Sequence, residues 1–185
     1  MACFVLLHGA WHGGWCWQRL TPLLTRQGHR VYAPSMAGLG ERATEASPDI
    51  DLDRHLDEIC ALLDFEDLKD VVVVGNSYGG MVATGVGDRR RKRVSRIVYL
   101  NGMIPGDGQS MMDLATEAQR TRCYDAVRSD GEGWRLPPFE IDAFGIADPD
   151  DAAWVARRLV PHPFRTMEQP LRLEGPESAM PPRAP

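Results

Sequence analysis

VVVVGNSYGG, residues 71–80, is the stretch on which the fold turns. Four consecutive valines are apolar on both faces, as a strand in the middle of a parallel sheet must be. They run straight into a serine bracketed by glycines, G-x-S-x-G. The Gly-rich segment 79–88 that follows is a poor helix former, so only packing can hold it as a helix. Alone, the pentapeptide is a common tight turn; between a strand and a helix it is a nucleophile elbow. Small residues at Gly75 and Gly79 relieve the crowding, and Gly80 is expected to let the helix lie close to the strand. The hydroxyl of Ser77 is then lifted above the C-terminal edge of the sheet. The N–H of Tyr78, at a helix N-terminus, is placed to stabilise negative charge developing there.

Working outward, CFVLL (3–7) reads as a buried strand ending at a Gly-rich turn, and RVYAP (30–34) as a strand halted by Pro34. Between them, Trp17, Leu20, Leu23 and Leu24 recur at helical spacing over 15–27, with Gly28 as a C-terminal stop. Residues 51–65 set Leu52, Leu56, Ile59 and Leu63 on one helical face and acids on the other. SRIVYL (95–100) is the next strand. Strands alternating with helices predict a parallel sheet with right-handed crossovers. After residue 102 the rhythm breaks. Segment 103–170 carries helical fragments (111–128 and 150–159) and scattered aromatics, which reads as an inserted cap on the 1–102 core. Segment 171–185 is Pro-rich and reads as an incomplete, frayed tail.

Length suits one domain, and the net charge of −5 gives no reason to expect a nucleic-acid partner. The run DRRRKR (88–93) falls where the helix after Ser77 ends, so a solvated cationic helix terminus accounts for it. Four cysteines without C-x-x-C spacing read as reduced thiols. No signal peptide is visible, and no run approaches the roughly 18–20 apolar residues of a membrane span, so a cytoplasmic protein without a membrane partner is expected.

An oxyanion needs a second donor beside Tyr78. The loop HGAWHGG (8–14) follows the first strand, next to the elbow in the expected winding, and the N–H of Ala10 is the best candidate. Losing one such donor typically costs about 2.7–4 kcal/mol. His8 and His12 are four residues apart but lie in a loop without a third ligand, so neither a metal nor a cofactor is expected.

FVLLHGAWHGGWCW, VYAPSMAGLGER, VVVVGNSYGGMV and IVYLNGMIPGDGQS together resemble the α/β-hydrolases, within them the small esterases that include plant methylesterases, pyrethroid-hydrolase-like carboxylesterases and hydroxynitrile lyases. The resemblance covers nearly the whole chain. It implies the α/β-hydrolase three-layer sandwich, with Ser77 as nucleophile and the N–H groups of Ala10 and Tyr78 as oxyanion hole. The chemistry needs no cofactor, and the Trp- and Phe-bearing cap suggests a small apolar or aromatic ester as partner. Gly9, Trp11, Trp134 and Phe139 are expected to touch substrate. Residue 76, often His in such elbows, is Asn76. The resembling lyases tend to carry Thr where this chain has Gly9, which favours ester hydrolysis over cyanohydrin cleavage. A non-catalytic ligand-binding protein is the other rival.

Serine needs a base, and in this fold the chain order is Ser, acid, His. His8, His12, His29 and His55 precede Ser77. The first two belong to the oxyanion loop, and the last two are assigned to outer helices. His162 has no strand before it to bring it over the elbow. Asp107 is a possible acid with no His to orient. The expectation is therefore a truncated esterase, its C-terminal strands missing, weak or inactive as given. The strand at 95–100 would then be an exposed apolar edge prone to self-association.

Overall fold

The computed structural model describes residues 1–184. In chain order the strands and α-helices are β1 (Cys3–Leu7), α1 (Thr21–Arg26), β2 (Arg30–Tyr32), α2 (Leu52–Phe65), β3 (Val71–Asn76), α3 (Gly79–Arg89), β4 (Val94–Leu100), α4 (Met111–Leu114), α5 (Glu117–Ser129), β5 (Arg135–Leu136), α6 (Pro149–Ala156), β6 (His162–Pro163), α7 (Arg165–Glu168) and β7 (Arg183–Ala184). β2, β1, β3, β4 and β7 form one sheet in that order, with every pairing parallel. The chain steps one way from β1 to β2, then back across β1 to β3 and on to β4. With right-handed crossovers this puts α1 on one face and α2 and α3 on the other. The winding reverses between β1 and β3, and crevices at the carboxyl ends of such strands are where open α/β sheets bind ligands.

The α2–α3 face is the thick one. Leu52, Leu56, Ile59 and Leu63 are buried as their spacing predicts, and Asp51 caps α2 by accepting the Arg54 N–H at 3.0 Å. Gly79 to Asp88 of α3 are all buried between sheet and α2, which is the packing that a glycine-rich helix needs. The opposite face is thinner. Val71 and Val73 are fully buried, whereas Val72 and Val74 are half-buried. The segment 15–27 is not one helix: residues Gly14–Trp17 form a 3₁₀ turn, and α1 begins only at Thr21, with Pro22 in its first turn. None of its residues is buried and Leu23 is half exposed, so the apolar spacing there overstated the packing.

Four other expectations change. The basic run is not simply solvated. Arg89 pairs with Asp53 and Asp57, Arg90 and Arg93 with Asp64, and Arg93 also with Asp67, so it ties the end of α3 to α2 and the turn after it. The segment after 170 is not frayed: Leu171 is buried, and Ile97 N–H donates to Pro182 O at 2.9 Å. β7 then pairs Arg183 with Ile97 and Ala184 with Val98, so a further parallel strand does follow segment 103–170 and β4 is not the sheet's edge over that stretch. Within segment 103–170, the expected helix over 111–128 is broken at Ala115. Thr116 opens a new helix there through a capping box with Gln119. No helix among the described residues is long and apolar enough to cross a membrane.

Candidate active site

Ser77 sits at the tip of β3 with φ 49, the left-handed conformation that a non-glycine residue adopts only under constraint. Its carbonyl accepts the N–H groups of Gly80 and Met103, each at 2.9 Å, which closes the turn. The glycines are required by contact. A Cβ at Gly75 would lie 2.4 Å from Gly79 O, and one at Gly79 would lie 2.6 Å from Leu7 O. Gly80 serves a different neighbour from the one expected. Its absent Cβ makes room for Met103 O, 2.2 Å from the ideal position, so at this residue α3 is fitted against the chain leaving β4, while Gly75 and Gly79 let it approach its own strand and β1.

Ser77 opens into a cavity of about 600 Å³. Gly9, Ala10, Trp11 and His12 line it from the loop after β1, and Asn76 and Asn101 from the ends of β3 and β4. Gln119, Phe139, Ala143, Phe144 and Ile146 close it from segment 103–170. The structure thus brings Ser77, Gly9, Ala10, Trp11 and Phe139 together. Trp134 is not part of the lining; its ring lies against the Arg135 guanidinium. The side chain of Tyr78 is fully buried, leaving only its backbone for the site. Among the described residues, neither the Ala10 N–H nor the Tyr78 N–H donates to a protein acceptor. The direction of the Ala10 N–H follows from its peptide plane. Gly9 O, trans to it, accepts Nδ1–H of the buried His8 at 2.8 Å, so the Ala10 N–H points the other way, out of the core.

His12, Asn76, Asn101 and Gln119 line the cavity without having been expected to touch substrate. Only the capping-box pattern T-x-x-Q at 116–119 signalled where one of them would stand. Asn76 donates Nδ2–H to Leu100 O at 2.9 Å, which leaves Oδ1 as its free acceptor. Gln119 accepts the Thr116 N–H at 3.0 Å through Oε1, which leaves its NH₂ as the free donor.

The histidines resolve into roles. His8 accepts the Met36 N–H at Nε2 (3.2 Å), and burial pushes its pKa down to about 3. His55 was placed on an outer helix by sequence; it lies on the inner face of α2, fully buried. Its Nε2–H donates to Ala37 O (3.0 Å) and its Nδ1 accepts the Tyr78 hydroxyl (2.8 Å); burial lowers its pKa to about 4. His162 does reach the elbow, carried by β6 paired with β5. Its ring packs edge-on against Tyr78, with centroids 4.7 Å apart. Both its nitrogens are engaged. Nδ1 accepts the Trp11 N–H at 3.4 Å, and Nε2–H donates to Thr166 Oγ1 at 2.7 Å, which in turn donates to Pro163 O. Burial holds the imidazole neutral far below its ordinary range. His12 donates Nδ1–H to Ala10 O at 2.7 Å and stacks on Trp15. Burial lowers its pKa as well. His29 sits at the opposite end of β1, accepting the Ala2 N–H at 3.1 Å. Among the described residues none of the five donates to or accepts from Ser77 Oγ. Asp107 accepts the Leu173 N–H at 3.0 Å, an anchor for the returning chain.

Residues 4–184 match the profile of the alpha/beta hydrolase family. The chain is 38% identical over 187 residues to a carbendazim hydrolyzing esterase of Nocardioides, covering 97% of this chain and 77% of that protein. It is 29% identical to methylesterase 1 of Arabidopsis thaliana, covering 86% of this chain but 51% of the plant enzyme, so it spans about half of that relative. Among solved structures, an extracellular alpha/beta-hydrolase from a Paenibacillus species superposes with a TM-score of 0.84 at 24% identity, covering 94% of this chain and 72% of the other; this likeness is one of fold.

Proposed function

The chain belongs to the alpha/beta hydrolase family, and we propose that its site is that of a serine carboxylesterase for small apolar or aromatic esters. The observation that carries this reading is Ser77, held at positive φ at a topological switch point, opening into the same cavity as Ala10. Ser77 Oγ attacks the ester carbonyl. The N–H groups of Ala10 and Tyr78 receive the oxyanion, the alcohol departs, and water resolves the acyl-enzyme. Segment 103–170 acts as the cap, and the aromatic faces of Trp11, Phe139 and Phe144 hold the apolar part of the substrate. The relatives' names support the class, as a carbendazim esterase and a methylesterase both cleave esters.

Turnover by these 185 residues is expected to be slow. His8, His55 and His162 spend their ring nitrogens inside the core, His29 is remote, and His12, which lines the cavity, bonds Ala10 O and makes no hydrogen bond to Ser77 Oγ among the described residues. Loss of a triad member leaves roughly 10³–10⁴ over the uncatalysed rate from oxyanion binding and substrate binding. A fluorophosphonate probe tests the reading. Ser77 should be labelled and Ser77→Ala should not; an unlabelled wild-type chain sinks it.

A further inference from the structure

Trp11 immediately follows the proposed oxyanion donor, and its backbone is strained. The turn closed by His12 N–H donating to Gly9 O (3.4 Å) places Trp11 at φ 64, where glycine is the usual occupant. A bulky residue there is strained and persists only when its surroundings impose it. The surroundings here come from the far side of the sequence. Val160 N–H donates to Trp11 O at 3.1 Å, Trp11 N–H donates to His162 Nδ1 at 3.4 Å, and the indole Nε1–H donates to Leu136 O at 3.0 Å. All three partners lie in or beside the small β5–β6 sheet of the cap.

We infer that the β5–β6 sheet clamps Trp11 in its left-handed conformation and thereby positions the Ala10 N–H for the oxyanion. Ala10 sits between two peptide planes. The plane before it is fixed from the core by His8 bonded to Gly9 O; the plane after it is held at its carbonyl by His12 Nδ1–H (2.7 Å) and at its N–H from the cap, through Trp11 bonded to His162. The first fixes which way the N–H points; the second stops Ala10 from rotating when the strained residue beside it relaxes. His162 is the cap's anchor on that second plane. Its Nε2–H is committed to Thr166, which leaves Nδ1 as a fixed acceptor, and Tyr78, the residue carrying the other proposed donor, packs on its ring. One side chain thus supports both halves of the hole. His162 is a positioning residue and need not touch substrate. The inference rests on the esterase reading for its consequence, but not for its geometry.

The test uses the full chain, ¹⁵N-labelled, as wild type, His162→Phe and Trp11→Phe. His162→Phe keeps a ring against Tyr78 but has no acceptor; Trp11→Phe loses only the indole N–H bond. In His162→Phe, exchange of the Trp11 amide should quicken at least tenfold and the Ala10 amide resonance should move. Phosphonylation of Ser77 should slow about tenfold, and kcat on a p-nitrophenyl ester should fall with KM unchanged. Trp11→Phe should shift the same readouts less, and it carries the test alone if His162→Phe does not fold. An Ala10 resonance and labelling rate unchanged in the variants overturn the clamp, whatever happens to thermal stability. If wild type labels no serine, the esterase reading fails, while amide exchange and the Ala10 resonance still decide the clamp.

Discussion

The two halves of the candidate site are built in opposite ways. The strand, the strained serine and the glycines of the elbow at 75–80 are neighbours in sequence, although Gly79 and Gly80 make room for Leu7 O and Met103 O. The loop at 8–14 and its anchors are not. His8 is set by Met36, and Trp11 by Leu136, Val160 and His162, more than a hundred residues away. The elbow should therefore break through single local substitutions, whereas the loop should respond to changes far from it.

The largest effect should come from the elbow. Gly80→Ala puts a methyl where Met103 O already lies 2.2 Å away. Because that contact is backbone, the expected outcome is loss of soluble folded protein, read from yield and circular dichroism. A folded Gly80→Ala protein of near wild-type stability would end the claim that the turn is sterically determined.

Next comes acid sensitivity of the buried histidine cluster behind the loop. An unfolded histidine titrates near 6.5, while burial holds His8 to about 3, His55 to about 4, and His162 well below its ordinary range. Below about pH 6.5 the unfolded chain thus binds up to about three more protons than the folded one, so stability is full above that pH. It falls as pH drops toward the folded values. Urea midpoints measured from pH 7 to 4.5 should decline, and His55→Phe should flatten the slope by about one proton. A flat profile over that window would refute the neutral buried cluster.

At neutral pH, His55→Phe should itself cost about 1–3 kcal/mol, because it removes the acceptor of the buried Tyr78 hydroxyl and leaves it only Thr166 as a partner. Tyr78→Phe added to it should recover much of the loss. Urea denaturation of the two single variants and the double variant measures the coupling. The smallest effect is expected for Arg90→Ala. It removes a partly exposed pair with Asp64 and should cost below about 1 kcal/mol in the same assay.

The sequence carried the elbow and the parallel α/β layout because their determinants are local. VVVV ahead of a glycine-bracketed serine reads as an inner strand, and Gly75 and Gly79 are punctuation that a strained turn requires. The amphipathic spacing of α2 was equally legible, yet it hid His55, which reads as polar but sits on the inner face because Tyr78 and Ala37 supply its partners. The two-residue strands β5, β6 and β7 left no signal at all. Strands that short have no periodicity and form only because a partner strand presents itself.

What the sequence by itself determined is the strand, the strained serine turn and the helix over 71–89, and the family to which the chain belongs. What only the tertiary structure decided is the state of the histidines. An imidazole's function depends on which groups face its two nitrogens and how much water reaches it. Those partners, Met36 for His8, Tyr78 and Ala37 for His55, Trp11 and Thr166 for His162, are brought together by folding and written in no contiguous stretch of the chain.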